Sequence, residues 1–132
     1  MSQQTLLTFA ESPFFPNFAE LYARLGIVET RVANARKALA QVKRSPPDWI
    51  VAEFVYAWAN NYASNHIGNL DVLLISLPKF APTAKVIVLA RKDEMAYAEQ
   101  LRSTHPFAAL LQLPVEEGRM AGVFAELGHP VR

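Results

Sequence analysis

There is no cysteine in this chain, so it can form no disulfide, no thiolate metal site and no cysteine nucleophile. Glycine is scarce, at five residues in 132, and none falls in the spacings that cradle a phosphate or present a catalytic serine. The turn after the first apolar run, Ala10-Glu11-Ser12-Pro13, has no glycine at all. No apolar run approaches bilayer length: the longest, residues 70–77, contains Asp71 and stops at Pro78. The opening Met-Ser-Gln-Gln lacks the basic region of a signal peptide, so a cytoplasmic protein with no membrane partner is expected. Neither sign of charge dominates. Thirteen Lys and Arg stand against twelve Asp and Glu, a net charge of +1, too balanced to suggest a nucleic-acid binder.

What the chain does have is apolar sequence, 52% of its residues. Its length fits one domain, residues 1–132, and a domain of this size buries about two thirds of its unfolded surface. A parallel sheet covered on both faces needs such composition, because its strands are buried twice over. The basic residues Arg31, Arg36, Lys37, Lys43 and Arg44 concentrate in one stretch. No aromatics interleave there to stack bases, so the stretch reads as a solvated helix face rather than a phosphate-binding patch.

Hydrophobic periodicity alternates between strand and helix along the whole chain. Residues 5–10 predict a first strand. Ser12 can cap a helix starting at Pro13, with Phe14, Phe18, Leu21 and Leu25 toward the sheet and Gly26 as its stop. Residues 27–32 predict a second strand. Asn34 caps a second helix with Ala35, Ala38, Leu39 and Val42 on one face, and Pro46-Pro47 breaks the chain. Residues 49–55 (WIVAEFV) predict a third strand, apolar except for Glu53. Residues 56–65 mix aromatics with amides and show no period. Ile67, Leu70, Leu74 and Leu77 define a third helix that Pro78 ends. Residues 85–90 predict a fourth strand, Met95, Ala98 and Leu101 a fourth helix, and residues 108–113 a fifth strand. Met120, Val123, Phe124 and Leu127 mark the last helix, which Gly128 closes. Gly118 and Gly122 form a GxxxG on that short amphipathic helix, which reads as packing rather than association. His66, His105 and His129 lie in three separate segments without metal-ligand spacing, and no metal site is expected.

Strict β-α alternation calls for an α/β fold with right-handed crossovers and helices on both faces. In such sheets function lies beyond the carboxyl ends of the strands, where strand order reverses. At those ends stand Ala10-Glu11, Glu53, Ala90 and Leu113-Pro114. In order and spacing the chain resembles a response-regulator receiver domain over nearly its whole length. Pro47-Asp48-Trp49-Ile50-Val51-Ala52-Glu53 matches the run up to the phospho-accepting aspartate. Residues 85–90 match the run ending in a switch hydroxyl, and residues 110–114 match the run ending in Lys-Pro. The resemblance implies a doubly wound five-stranded parallel sheet of flavodoxin-like type, in the order 2-1-3-4-5. It also implies a cis peptide at Leu113-Pro114. The stretch from Glu53 to Ala90 is several residues longer than the family usually has, with the surplus placed in residues 56–65.

The departures from the family pattern outweigh the matches. An acceptor is a carboxylate nucleophile that works while Mg²⁺ neutralises charge. Glu53 is one methylene longer than aspartate, and displacements of ~1 Å can cost on the order of 100-fold. The acidic pair that would hold Mg²⁺ is reduced to Glu11, since Ala10 has no ligand atom. Ala90 stands for the switch hydroxyl, Leu113 for the lysine and Leu110 for the switch aromatic. Together they read as a degenerate phosphorylation site, with no catalytic residue and no cofactor. Glu53 as a phosphate mimic would need a reader, which Ala90 and Leu113 cannot be. Glu11 and Glu53 as an acid/base pair compete with the plainer reading of two acids left at a former metal site.

The expectation is therefore a pseudo-receiver: a protein-interaction module of two-component signalling, binding a protein partner and leaving a homodimer open. A sensor of a small molecule or nucleotide in the crevice beyond the strand ends is the alternative, and a hydrolase built on Glu11 and Glu53 the third reading. The resemblance makes helix four, strand five and helix five the default signalling surface, with Tyr97, Gln100, Glu116 and Arg119 as its exposed members. Tyr56, Trp58 and Tyr62, close together on an expected loop, are the other partner-binding candidates, because Tyr and Trp are enriched at binding hot spots. Trp58 is read as a lid over Glu11 and Glu53; Tyr56 and Tyr62 are read as partner contacts.

Overall fold

Helical crossovers between apolar strands let them pair in parallel, and these do. In the computed structural model, which describes residues 3–56 and 67–129, they are β1 (Gln4–Phe9), β2 (Ile27–Val32), β3 (Trp49–Glu53), β4 (Lys85–Ala90) and β5 (Ala109–Gln112). All pairings are parallel and the order is β2-β1-β3-β4-β5, the expected doubly wound sheet. Between them run α1 (Ala19–Arg24), α2 (Ala35–Arg44), α3 (Asp71–Phe80), α4 (Met95–Thr104) and α5 (Glu117–Glu126), with a 3-10 turn at Lys92–Glu94 ahead of α4. The register sets Phe9 beside Ala52 and Glu53 beside Leu89, so the carboxyl ends of the central strands finish level.

Alternate residues of each strand feed two cores, as the two-residue pleat requires. Leu7, Phe9, Ile50, Ala52 and Val88 pack under α2, α3 and α4. Leu6, Trp49, Val51, Ile87 and Leu111 pack under α1 and α5. Asn34 caps α2 as its sequence position predicts: Oδ1 accepts the Lys37 N–H at 2.8 Å. Gly26 and Gly128 take φ of +73° and +100° just beyond α1 and α5, where a side chain would be strained. The Leu113–Pro114 peptide is cis.

Helix α1 departs from expectation. It begins at Ala19, not at Pro13, and Ser12 does not cap it. Pro16 disfavours the helical region at Phe15, so a helix begun at Pro13 could not continue. Residues 12–17 turn instead: the Ser12 hydroxyl accepts the Phe14 N–H at 3.1 Å, and Asn17 Oδ1 accepts the Ala19 N–H at 2.9 Å. The shift in phase exposes Phe14 (91%) and buries Phe15 (5%) in its place. Helix α3 departs too. Ile67 lies ahead of it, and Pro78 lies inside it; the helix runs on to Phe80, with the Ala81 N–H on the Leu77 carbonyl at 2.8 Å. A proline there removes only its own bond to the preceding turn, and buried Leu77 and Ala81 hold the last turn against the sheet. Strands three and five are each two residues shorter than the apolar runs that predict them. Gly118 and Gly122 lie on α5 with nothing within 4 Å of where a Cβ would stand, so the GxxxG serves no close packing. No helix among the described residues is long and apolar enough to cross a membrane.

Tyr22, 2% exposed, packs edge-on against Phe18 and Phe124. Burial pushes its phenol well above the ordinary tyrosine value; Glu29 adds to the rise and Arg31 opposes it. In the unfolded chain the phenol ionises near pH ~10 while the folded chain keeps its proton, so the unfolded state binds fewer protons and stability falls as pH rises past that point. The contribution is whole below about pH 10. We expect the wild type to lose about 1 kcal/mol more than Tyr22→Phe between pH 10 and 11, measured by urea denaturation at each pH. Equal losses in the two proteins would show that Tyr22 ionises freely in the fold.

Candidate functional site

Glu53 ends β3 with its side chain 7% exposed, and a buried carboxylate must find hydrogen-bond donors. It finds them in the turn that follows β1. Oε1 accepts the Glu11 N–H at 2.8 Å and the Ser12 N–H at 2.7 Å. The extra methylene that separates Glu53 from aspartate is thus the reach that closes this contact across neighbouring strands. Ala10, beside it, is 6% exposed and directs its methyl into the α1–α5 core.

Asn69 completes the arrangement. Its Nδ2 donates to Glu11 Oε2 at 3.0 Å and to the Glu53 carbonyl at 2.8 Å, while its Oδ1 accepts the Val55 N–H at 2.7 Å. The Asn69 N–H returns to the Val55 carbonyl at 3.0 Å. One amide side chain therefore ties the end of β3, the β1–α1 turn and the entry to α3 together. Next to it Gly68 bridges Tyr56 in antiparallel fashion, and a Cβ on Gly68 would fall 2.4 Å from the Val55 carbonyl oxygen. Only glycine permits that approach.

The positions matched to the switch are apolar and packed. Ala90 is fully buried in the core under α2–α4, and the half-buried Leu110 packs on that core. Leu113 packs against the other core, and its N–H bonds the Ala90 carbonyl at 2.8 Å. The structure thus brings Ala10, Glu11 and Glu53 together at the strand ends, with Ala90 and Leu113 joined through the backbone beside them. These residues do not fit Mg²⁺, which wants an octahedron of oxygen ligands. Ala10 offers none, Glu53 Oε1 is committed to two backbone donors, and Asn69 engages the Glu11 carboxylate.

Tyr56 and Tyr97 stack on each other, ring centres 3.7 Å apart and planes at 15°. The Tyr56 N–H reaches Glu94 Oε1 at 3.3 Å, and Glu94 is 3% exposed. Both tyrosines are half-buried, so Tyr56 is joined to α4 rather than standing clear on a loop, and Tyr97 is not fully exposed as expected. Gln100, Glu116 and Arg119 are exposed. Trp58, Tyr62 and His66 lie outside the described residues. His129 is buried against Trp49 and Phe124 at the opposite end of the sheet, its Nδ1 without a partner.

Asn69, Asp71 and Glu94 escaped the sequence reading. Asp71 is buried and accepts the Ile67 and Gly68 N–H groups at 3.0 and 2.8 Å, fixing the entry to α3. The Gly68-Asn69 pair just ahead of an apolar helix was the available signal, since such pairs mark turns whose side chains bond the backbone.

No protein-family model matches the chain, and no curated protein matches it by sequence. Solved structures do. The receiver domain of AraT, a response regulator from Geobacillus stearothermophilus, superposes with a TM-score of 0.73 at 16% identity, covering 96% of this chain and 93% of that one. A response regulator receiver domain protein from Clostridium thermocellum gives 0.70 at 13% identity, with 93% and 92% covered. A response regulator from Burkholderia pseudomallei, solved with a phosphorylated aspartic acid, a calcium ion and citrate, gives 0.67 at 20% identity, with 97% and 76% covered. With its sheet order, its helices and the lengths of chain superposed, this protein has the fold of response-regulator receiver domains.

Proposed function

We propose that this chain is a degenerate member of the receiver family, a regulatory module that binds a protein partner and carries out no phosphotransfer. The observation that carries the reading is the Glu53 carboxylate bonded to the Glu11 and Ser12 N–H groups. A nucleophile must present a correctly aimed oxygen to the incoming phosphorus, and here two backbone donors hold Oε1 in the neighbouring turn and fix the orientation of the carboxylate. The packed methyl of Ala90 and the apolar Leu113 support the same conclusion, because neither can hold a phosphoryl oxygen. Ala10, Glu11, Glu53, Ala90 and Leu113 form the degenerate site, and Tyr56, Trp58, Tyr62 and Tyr97 are the aromatic candidates for partner contact. A sensor in the strand-end crevice is less favoured, because Asn69 already engages the Glu11 carboxylate and the Glu53 carbonyl there.

Incubation with acetyl phosphate and Mg²⁺, followed by intact-mass spectrometry, should show no phosphate adduct. A stoichiometric adduct that Glu53→Gln removes would overturn the reading.

A further inference from the structure

One face of the molecule combines positive charge with uncovered apolar surface. Helix α2 buries Ala38 and Val42 and turns Arg36, Lys37, Lys43 and Arg44 outward, one stripe at helical spacing. No acidic residue occurs between Glu29 and Asp48, and among the described residues no ion pair holds any of these four cations. Helix α3 packs beside α2 and presents Val72 and Ile75, 44% and 54% exposed. At the seam Lys43 and Lys79 lie over the Phe80 ring, 5.0 and 5.3 Å from its centre. On the far side of α3 a cleft of about 650 Å³ opens toward α4, walled by Ile75, Pro78 and Phe107 among others. Cations, apolar ridge and cleft are continuous through α3.

We infer that this α2–α3 face docks an acidic amphipathic protein segment, its apolar side chains on Val72 and Ile75 and in the cleft, its carboxylates against Lys43, Lys79 and the α2 stripe. The inference rests on the reading of the chain as a protein-binding module. Charge complementarity selects the partner's sign. The apolar part selects its class: a phosphate backbone has no side chains to fill an aliphatic cleft, and α2 cannot enter a lipid surface because its apolar face is already in the core. Helix-in-groove recognition by apolar anchors at helical spacing is the mode such a face suits.

The test uses a fluorescein-labelled helical peptide of about 20 residues, with leucines repeating every third or fourth position and glutamates flanking them. Anisotropy should show saturable binding. Lys43→Glu with Lys79→Glu should weaken it about tenfold or more, and Ile75→Asp should do the same on its own. Lys92→Glu, an exposed cation at the other end of the sheet, should leave it unchanged. Circular dichroism confirms that each variant is folded. Indifference to Ile75→Asp, or tighter binding to phosphatidylserine vesicles or a short DNA duplex than to the peptide, would overturn the assignment. Absence of peptide binding in a chain still refractory to acetyl phosphate removes the docking face and leaves the regulatory reading standing. A phosphate adduct on Glu53 removes that reading whatever the peptide does.

Discussion

Phe124→Ala is expected to cost about 4 kcal/mol of stability, the largest loss from any single truncation considered for this chain. Phe124 is fully buried on α5, with its ring 4.6 Å from Trp49, 5.7 Å from Tyr22 and 6.4 Å from His129, centre to centre. Truncation removes the transfer free energy of a benzyl group and opens a cavity that rigid aromatic neighbours cannot collapse into. Trp49 is held by its Nε1–H on Gln4 Oε1 at 2.9 Å, and Lys85 Nζ lies over its ring, 5.4 Å from the ring centre. Urea denaturation followed by far-UV circular dichroism measures the loss. A cost under about 1 kcal/mol would mean that α5 is not anchored through this cluster.

Glu53→Ala is expected to cost about 3 kcal/mol, which is large for a glutamate. Most glutamates are solvated and their truncation is nearly neutral. Glu53 is buried and satisfies two backbone donors of the β1–α1 turn, and alanine leaves both without a partner. Each such loss costs about 1–3 kcal/mol. Glu53→Gln keeps an oxygen at the same reach without the charge and should recover about half of the loss, since bonds to charged acceptors are about twice as strong as neutral ones. Equal stability of the alanine and wild-type proteins would show that the carboxylate is a surface group.

The fold was legible in the sequence to a degree the site was not. Residues 27–32 and 85–90 are strands with the predicted bounds, because a doubly buried strand must be apolar throughout and its turn residues mark the ends. Asn34 could be read as a cap because capping is a local bond over three residues. Helix α1 was misread for a related reason. Ser12-Pro13 is a sound start signal taken alone, but Pro16 cancels it from within, and Glu53, far along the chain, holds the turn that forms instead. Tyr56 reads in sequence as a partner contact on a loop, whereas it is paired with a ring on α4 that no periodicity connects to it.

The sequence by itself determined the β-α alternation, its richness in apolar residues, and the identities of Ala10, Ala90 and Leu113 near the strand ends. Those follow from residue identity and local spacing, which need no third dimension. Only the tertiary structure decided what the remaining residues do. In sequence, Glu11 and Glu53 read most plainly as two solvated acids, ahead of an acid/base pair or, for Glu53, a phosphate mimic; the parallel register of β1 and β3 makes Glu53 a strut for the neighbouring turn and hands Glu11 to Asn69. Likewise the basic stretch was a solvated helix face until α3 came to lie beside it with Val72 and Ile75 uncovered. A residue's chemistry is written in the chain, but its partners are set by packing between segments distant in sequence, and partners decide whether a carboxylate reacts or holds a turn.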